Sequence, residues 1–384
     1  MMSKFSTNLI NFIRKTYKTD EFVPLHAPIF SNKEKDYVID AIDSTFVSTI
    51  GDYVSKFENQ VANYTGVKYA VATINGTSAL HAALLASNVR FDDEVITQSL
   101  TFVATCNAIK YCSANPVFVD VSKETMGMCP NSLEEFLRNF AEVDGNGLCI
   151  NKKSGNIIRA CLPMHSLGHP VEIDKIKALC SSYNIVLIED SAESLGSFYK
   201  SKHTGSFGES SVISFNGNKI ITSGGGGMIL TNNKDVEAKV RHLTTTAKES
   251  HNWLFSHNEI GYNYRLPNIN AALGYAQMEK IEEYLKSKRE TAKKYQDFFQ
   301  NELYEFFSEP QHSKSNYWFN AFFAQNQLDR DKILEQTNNN GIMTRPFWVP
   351  MHKLSMYNSC QKTNMDNTNW LYEHVICIPS SVNL

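Results

Sequence analysis

The sequence predicts an α/β protein, with a large domain on a mostly parallel sheet and a smaller α+β domain after it. Three observations lead there. From residue 67 onward, short apolar runs alternate with helical patterns, the signature of parallel strands covered on both faces. Turn residues sit where strands hand over to helices, above all in Asn75-Gly76-Thr77-Ser78. Near Asn233 the rhythm changes, and long helical periodicity with an aromatic strand replaces the alternation. A chain of 384 residues has room for two domains.

Taken in order, residues 1–22 alternate apolar and charged positions and lack the apolar core of a signal peptide. They read as an amphipathic arm. The large domain is expected over residues 23–250 and the small one over 251–384. Ser31-Asn32-Lys33-Glu34 is a capping box that opens a helix running to about Asp43. Strands are expected at residues 67–74, 94–98, 116–121, 158–165, 185–189, 211–215 and 227–230, with helices at 79–86 and 172–183. Residues 270–300 read as one long helix with a bend. An apolar-aromatic strand at 317–324 and a helix at 330–338 follow, and the pattern beyond 340 is weak.

Lysine and arginine number 37 against 40 acids, a net charge of −3, which offers no basic surface for nucleic acid. No stretch approaches the ~20 apolar residues of a membrane span, so a cytoplasmic protein is expected. The eight cysteines show no C-x-x-C spacing. Buried free thiols are expected rather than disulfides or a metal site.

The chemistry concentrates in three segments. Ser214-Phe215-Asn216-Gly217-Asn218-Lys219 is followed by the four glycines 224–227. Upstream, the apolar run 185–188 ends in Glu189-Asp190, which places a carboxylate at the carboxyl end of a strand, where ligands sit in open α/β sheets. A lysine amine forms a Schiff base with an aldehyde cofactor, and an acid holds a pyridine nitrogen protonated. Together they are the minimal apparatus of pyridoxal 5'-phosphate (PLP) chemistry. Between strand and helix, Gly76, Thr77 and Ser78 offer a tight turn, free N–H groups and hydroxyls to a phosphate. Taken alone, that turn is an ordinary helix cap. Ser214 adds a candidate phosphate donor, Phe102 a ring that could stack on a flat cofactor, and Glu193 an acid facing the same site. Each has a plain structural use, and their specificity lies in the combination and its order.

On these residues the chain resembles the DegT/DnrJ/EryC1/StrS family of PLP-dependent sugar aminotransferases, from about Val23 to the C-terminus. The resemblance implies the fold-type I, aspartate aminotransferase-like architecture. It implies that Lys219 carries the cofactor, that Asp190 pairs with the pyridine nitrogen, and that Phe102 stacks on the ring. It further implies that Gly76 to Ser78 and Ser214 hold the phosphate. Gly261-Tyr262-Asn263-Tyr264-Arg265 would reach into a partner subunit's site, with Asn263 on the phosphate there, so a homodimer with shared sites is implied. Many relatives carry Gln or His where Glu193 stands. PLP-dependent sugar dehydratases of the same fold carry histidine in place of the lysine, so Lys219 argues against that activity. The full set of catalytic side chains argues against a non-catalytic regulator.

Met164-His165-Ser166-Leu167-Gly168-His169-Pro170, His242 to Lys248 and Gly341-Ile342-Met343-Thr344-Arg345-Pro346 resemble, more narrowly, the legionaminic-acid-pathway subgroup. That likeness implies transfer from glutamate to C4 of a UDP-linked 4-keto-6-deoxy-N-acetylglucosamine. A GDP-linked 4-keto sugar, as in perosamine-forming enzymes, is the alternative.

Overall fold

The computed structural model describes residues 2–384. Its centre is a seven-stranded sheet. The strands are β1 (Tyr69–Thr73), β2 (Glu94–Gln98), β3 (Asn115–Val119), β4 (Ile158–Leu162), β5 (Val186–Asp190), β6 (Ser210–Ser214) and β7 (Gly227–Thr231), in the spatial order β1-β7-β6-β5-β4-β2-β3. Only β7 runs against its neighbours; β6, β5, β4, β2 and β3 pair in parallel. The apolar runs read from the sequence are these strands, with edges moved by one to three residues.

Alternation along each strand divides the core between two layers. Val71, Val95, Leu162, Ile188, Val212 and Ile229 face the helices α4 (Gly76–Ala86), α5 (Val103–Tyr111) and α8 (Lys234–Thr244). On the other face, Ala70, Ala72, Met228 and Leu230 meet α3 (Asp52–Thr65) and α9 (Asn268–Met278). There too Ile96, Val117, Cys161 and Leu187 meet α6 (Pro130–Phe140) and α7 (Ile173–Ser182). In α2 (Asn32–Asp43), Glu34 accepts the Ser31 N–H at 2.7 Å, as the capping box requires.

A second sheet of four strands has the order β8-β9-β11-β10: β8 (Glu305–Phe306), β9 (Asn320–Phe323), β10 (Arg345–Pro346) and β11 (Val375–Ile378). It packs with α10 (Ile281–Phe299) and α11 (Gln327–Asn339), and α12 (Asp366–His374) leads into β11. The N-terminal segment forms α1 (Lys4–Tyr17), an amphipathic helix docked by its apolar face. Its Phe5, Leu9, Ile10 and Ile13 bury against Tyr295, Phe299, Phe322 and Ile376.

The single bent helix expected over 270–300 is two helices, α9 and α10, parted at Glu279 and Lys280. Their surroundings explain the break. α9 buries small residues, Ala271, Ala272, Gly274 and Ala276, against α2 and α3, whereas α10 keeps a charged outer face. One straight helix would not satisfy both environments. No helix among the described residues is long and apolar enough to cross a membrane.

Candidate active site

At the carboxyl edge of the large sheet, a cavity of about 530 Å³ opens between the two sheets. From the large sheet it is lined by Asn75, Gly76, Thr77, Phe102, Asp190, Glu193, Ser214 and Lys219; from the small sheet's side come Trp318, Phe319, Arg345, Phe347 and Trp348. A larger hollow of about 730 Å³ lies elsewhere, around Tyr53, Arg241 and Arg265, and contains none of the residues expected to carry chemistry.

Asp190 ends β5, and its carboxyl is buried with no ion pair among the described residues. It accepts from Thr105 Oγ1 at 2.8 Å and from the Ala192 N–H at 3.2 Å. Burial raises its pKa, and the Thr105 hydrogen bond opposes the rise. A buried carboxylate without a cation is costly. A protonated ring nitrogen inside the cavity would supply a direct ion-pair partner.

Lys219 Nζ lies 3.3 Å from Glu193 Oε1 and 3.9 Å from the centre of the Trp318 ring. Trp318 is itself held by its indole N–H, which donates to the Asn218 carbonyl at 2.7 Å. Glu193 Oε2 accepts the Leu167 N–H at 2.9 Å. Leu167 adopts φ 57°, a left-handed conformation that is uncommon outside glycine. Burial lifts the Glu193 pKa to about 7, against the pull of the neighbouring Lys219.

The phosphate turn is built from close approaches. Asn75 caps α4 by accepting the Ser78 N–H at 2.8 Å, which leaves the N–H groups of Gly76 and Thr77 without a partner inside the helix. A Cβ on Gly76 would stand 3.1 Å from Ser214 Cβ, so the turn sits close against the end of β6 and any larger residue would push on Ser214. A Cβ on Gly227 would stand 2.5 Å from the Asn75 carbonyl oxygen. The glycine run thus lets β7 pass the turn, while Gly225 and Gly226 line the cavity.

Most of the expected residues therefore meet in one place. Phe102 is half-exposed on the cavity wall, edge-on to Trp348 at 6.1 Å. Ser78 does not line the cavity. Asn263 is exposed on the outside of this chain, beside Thr245, and so lies apart from the chain's own cavity. Sequence reasoning missed Thr105, Trp318 and Arg345. Thr105 stands one helical turn after Phe102 in the same segment, which was its available signal. Trp318 lies in the apolar-aromatic segment 317–324, whose pattern offered only a strand.

The site tests for PLP favourably. It has a lysine amine, a buried carboxylate with no ion pair among the described residues, and a helix N-terminus with two free N–H groups to take a phosphate. Fold and site together define a PLP-dependent aminotransferase of fold type I. Residues 28–384 match the model of the DegT/DnrJ/EryC1/StrS aminotransferase family, and the chain belongs to that family.

The chain is 38% identical over 337 residues to GDP-perosamine synthase of Escherichia coli O157:H7, covering 88% of this chain and 87% of that one. It is 33% identical to GDP-perosamine synthase of Vibrio cholerae, covering 93% and 94%. Among solved structures, Helicobacter pylori PseC, an aminotransferase of pseudoaminic acid biosynthesis, superposes with a TM-score of 0.85 at 24% identity over 95% of each chain. Streptococcus pneumoniae Spr1654 in its PLP form superposes with a TM-score of 0.84 at 21% identity, covering 94% of each chain.

The Glu193 carboxyl carries a prediction for the cofactor-free protein. Its folded pKa, about 7, lies above the ordinary 4.5. The unfolded chain therefore releases this proton first as pH rises. Stability contributed by the protonated form is complete below about pH 4.5 and is lost as pH climbs toward about 7. Glu193→Gln should flatten the pH dependence of the melting temperature in that window, removing a slope worth roughly 3 kcal/mol at most. Thermal melts across pH 4–8 check it, and parallel profiles for variant and wild type would refute it.

Proposed function

We propose that this aminotransferase moves an amino group from glutamate to C4 of a nucleotide-linked 4-keto-6-deoxy sugar. The observation that carries the reading is Lys219 facing a cavity whose floor holds Asp190 and Glu193 and whose rim holds the α4 N-terminus. PLP, when bound, supplies an electron sink for the carbon that gains or loses a proton. Asp190 would hold the ring nitrogen charged, the Gly76 and Thr77 N–H groups with Ser214 would hold the phosphate, and Phe102 would offer its ring to the cofactor. Lys219 carries the proton to and from the reacting carbon. Glu193, titrating near neutrality, is placed to exchange that proton with the lysine amine.

For the nucleotide, the names of the relatives at 33% and 38% identity favour a GDP-linked sugar. The resemblance of the Met164 to Pro170 and Gly341 to Pro346 segments favours instead the UDP-linked N-acetylated sugar. Comparing kcat/KM for GDP- and UDP-linked 4-keto-6-deoxy sugars, with products resolved by NMR, decides between them. Turnover of neither would overturn the reading.

The exposed Asn263, remote from its own chain's cavity, supports a homodimer in which each site borrows this residue from the partner. Mixing inactive Lys219→Ala chains with inactive Asn263→Asp chains should restore activity, because one site of each heterodimer then holds both intact residues. Differently tagged chains verify subunit exchange. Exchange without recovered activity would refute the shared site.

A further inference from the structure

Lys288 is a buried titratable group that the chemistry above leaves unused. It belongs to α10, is 1% exposed, and makes no ion pair among the described residues. Burial pushes its pKa well below the ordinary lysine value. Its Nζ donates to two backbone carbonyls, that of Trp318 at 3.2 Å and that of Ser380. A buried carbonyl without a donor is costly, so an apolar side chain here would strip both of this partner. His26, lowered by burial and by the charges of Lys288 and Lys219, has no hydrogen-bond partner on either ring nitrogen and takes no part in these contacts. Both carbonyls belong to the cavity wall or its support. Trp318 lines the cavity, and so does Leu25, whose carbonyl accepts the Ser380 N–H at 2.7 Å. Trp318 has two other anchors. Its backbone N–H donates to Asn316 Oδ1 at 2.8 Å, and its indole N–H to the Asn218 carbonyl at 2.7 Å. Asn316 Nδ2 in turn donates to the Glu193 carbonyl at 2.8 Å. Held in this way, the Trp318 ring has its centre 3.9 Å from Lys219 Nζ.

Resting on the reading of Lys219 as the reacting amine, we infer that Lys288 is a positioning residue: it fixes Trp318 and, through Trp318, the place of the Lys219 amine in the cavity. A ring attracts an ammonium only while the cation stands over its face. The place of the ring follows from its backbone, and Lys288 is the anchor on the Trp318 carbonyl. Without it that carbonyl must turn toward another donor, and the indole moves with it. The ring then no longer covers the amine. A lysine that only held α10 in the core would change stability and leave Lys219 as it was.

The test reads Lys219 directly. Full-length, cofactor-free protein is treated with limiting acetic anhydride, and peptide mass mapping gives the acetylation rate of Lys219 relative to exposed lysines of the same chain. Lys288→Met should raise that rate about three- to tenfold, and Trp318→Phe, which loses the indole N–H and has the weaker ring face, about threefold. The double variant should exceed the larger single effect by less than about twofold, because both substitutions remove one arrangement. Lys288→Gln, which keeps N–H donors, should recover part of the wild-type rate. In the PLP-loaded protein, Lys288→Met should lower kcat about tenfold, with KM for both substrates within about twofold of wild type, since Lys288 is not part of the cavity lining. Unchanged Lys219 acetylation in either single variant, or a double variant whose effect is the product of the two, overturns the assignment. Thermal melts certify each fold. Where Lys288→Met does not melt cooperatively, the same cycle is run with Lys288→Gln, and unchanged acetylation in Trp318→Phe is decisive against the assignment by itself. If borohydride reduction places the cofactor on a lysine other than Lys219, the reading of the reacting amine fails, while the acetylation cycle still reports whether Lys288 acts through Trp318.

Discussion

Lys219→Ala is expected to bind PLP without holding it covalently, and to lose transamination by about ten thousandfold or more. Among the described residues, Lys219 is the one lysine lining the cavity, which makes its amine the candidate for both the covalent hold and the proton transfer at the reacting carbon. Borohydride reduction and peptide mapping should place the cofactor's mass on Lys219 in wild type and on no residue in the variant. The fold should survive. Removing the ammonium strips Glu193 of its partner at 3.3 Å, but a carboxyl that titrates near 7 can take up a proton instead of staying charged. Trp318 keeps its hydrogen bond to the Asn218 carbonyl. Normal turnover by this variant would remove the central residue from the account.

The second large effect is expected from Asp190→Asn. The amide has nearly the same shape and can still accept from Thr105 or Ala192, whose donors lie at 2.8 and 3.2 Å. It offers no negative charge to a protonated ring nitrogen. The loss should be on the order of 10²–10³ in kcat, the scale of removing an electrostatic contact that strengthens as charge develops. KM for the sugar should stay within about threefold, because the interaction does not touch the sugar. Glu193→Gln should be milder, since the amide still accepts the Leu167 N–H. Steady-state kinetics on the three proteins check the order, and an Asp190→Asn enzyme with wild-type kcat would show that the ring lies elsewhere.

The parts of the site carried by contiguous segments were legible in the sequence. A strand running into Asn75-Gly76-Thr77, a strand ending in Asp190, and Ser214 followed by Lys219 each pair a local pattern with a reactive group. The sheet's apolar runs placed all three at one edge. What was not legible depends on register and on distant packing. Trp318 comes over Lys219 from the far side of the cavity, and nothing near Lys219 in the chain announces it. Arg345 is brought to the wall by its pairing opposite Cys377, in a region whose strands are too short to show a period. Helix α6 went unread although Pro130 at its first turn and the buried Leu133, Phe136 and Leu137 were clear signals. The break between α9 and α10 was hidden because both halves are helical by pattern and differ only in what covers them.

The most direct test of the central claim follows the nitrogen itself. Purified protein loaded with PLP is incubated with ¹⁵N-glutamate and, separately, with GDP- and UDP-linked 4-keto-6-deoxy sugars. The expected products are 2-oxoglutarate and nucleotide sugar labelled with ¹⁵N at C4 in equal amounts, with both absent in Lys219→Ala. Glutamate conversion with no label in either sugar, or sugar that loses a hydroxyl and gains no nitrogen, would contradict the claim.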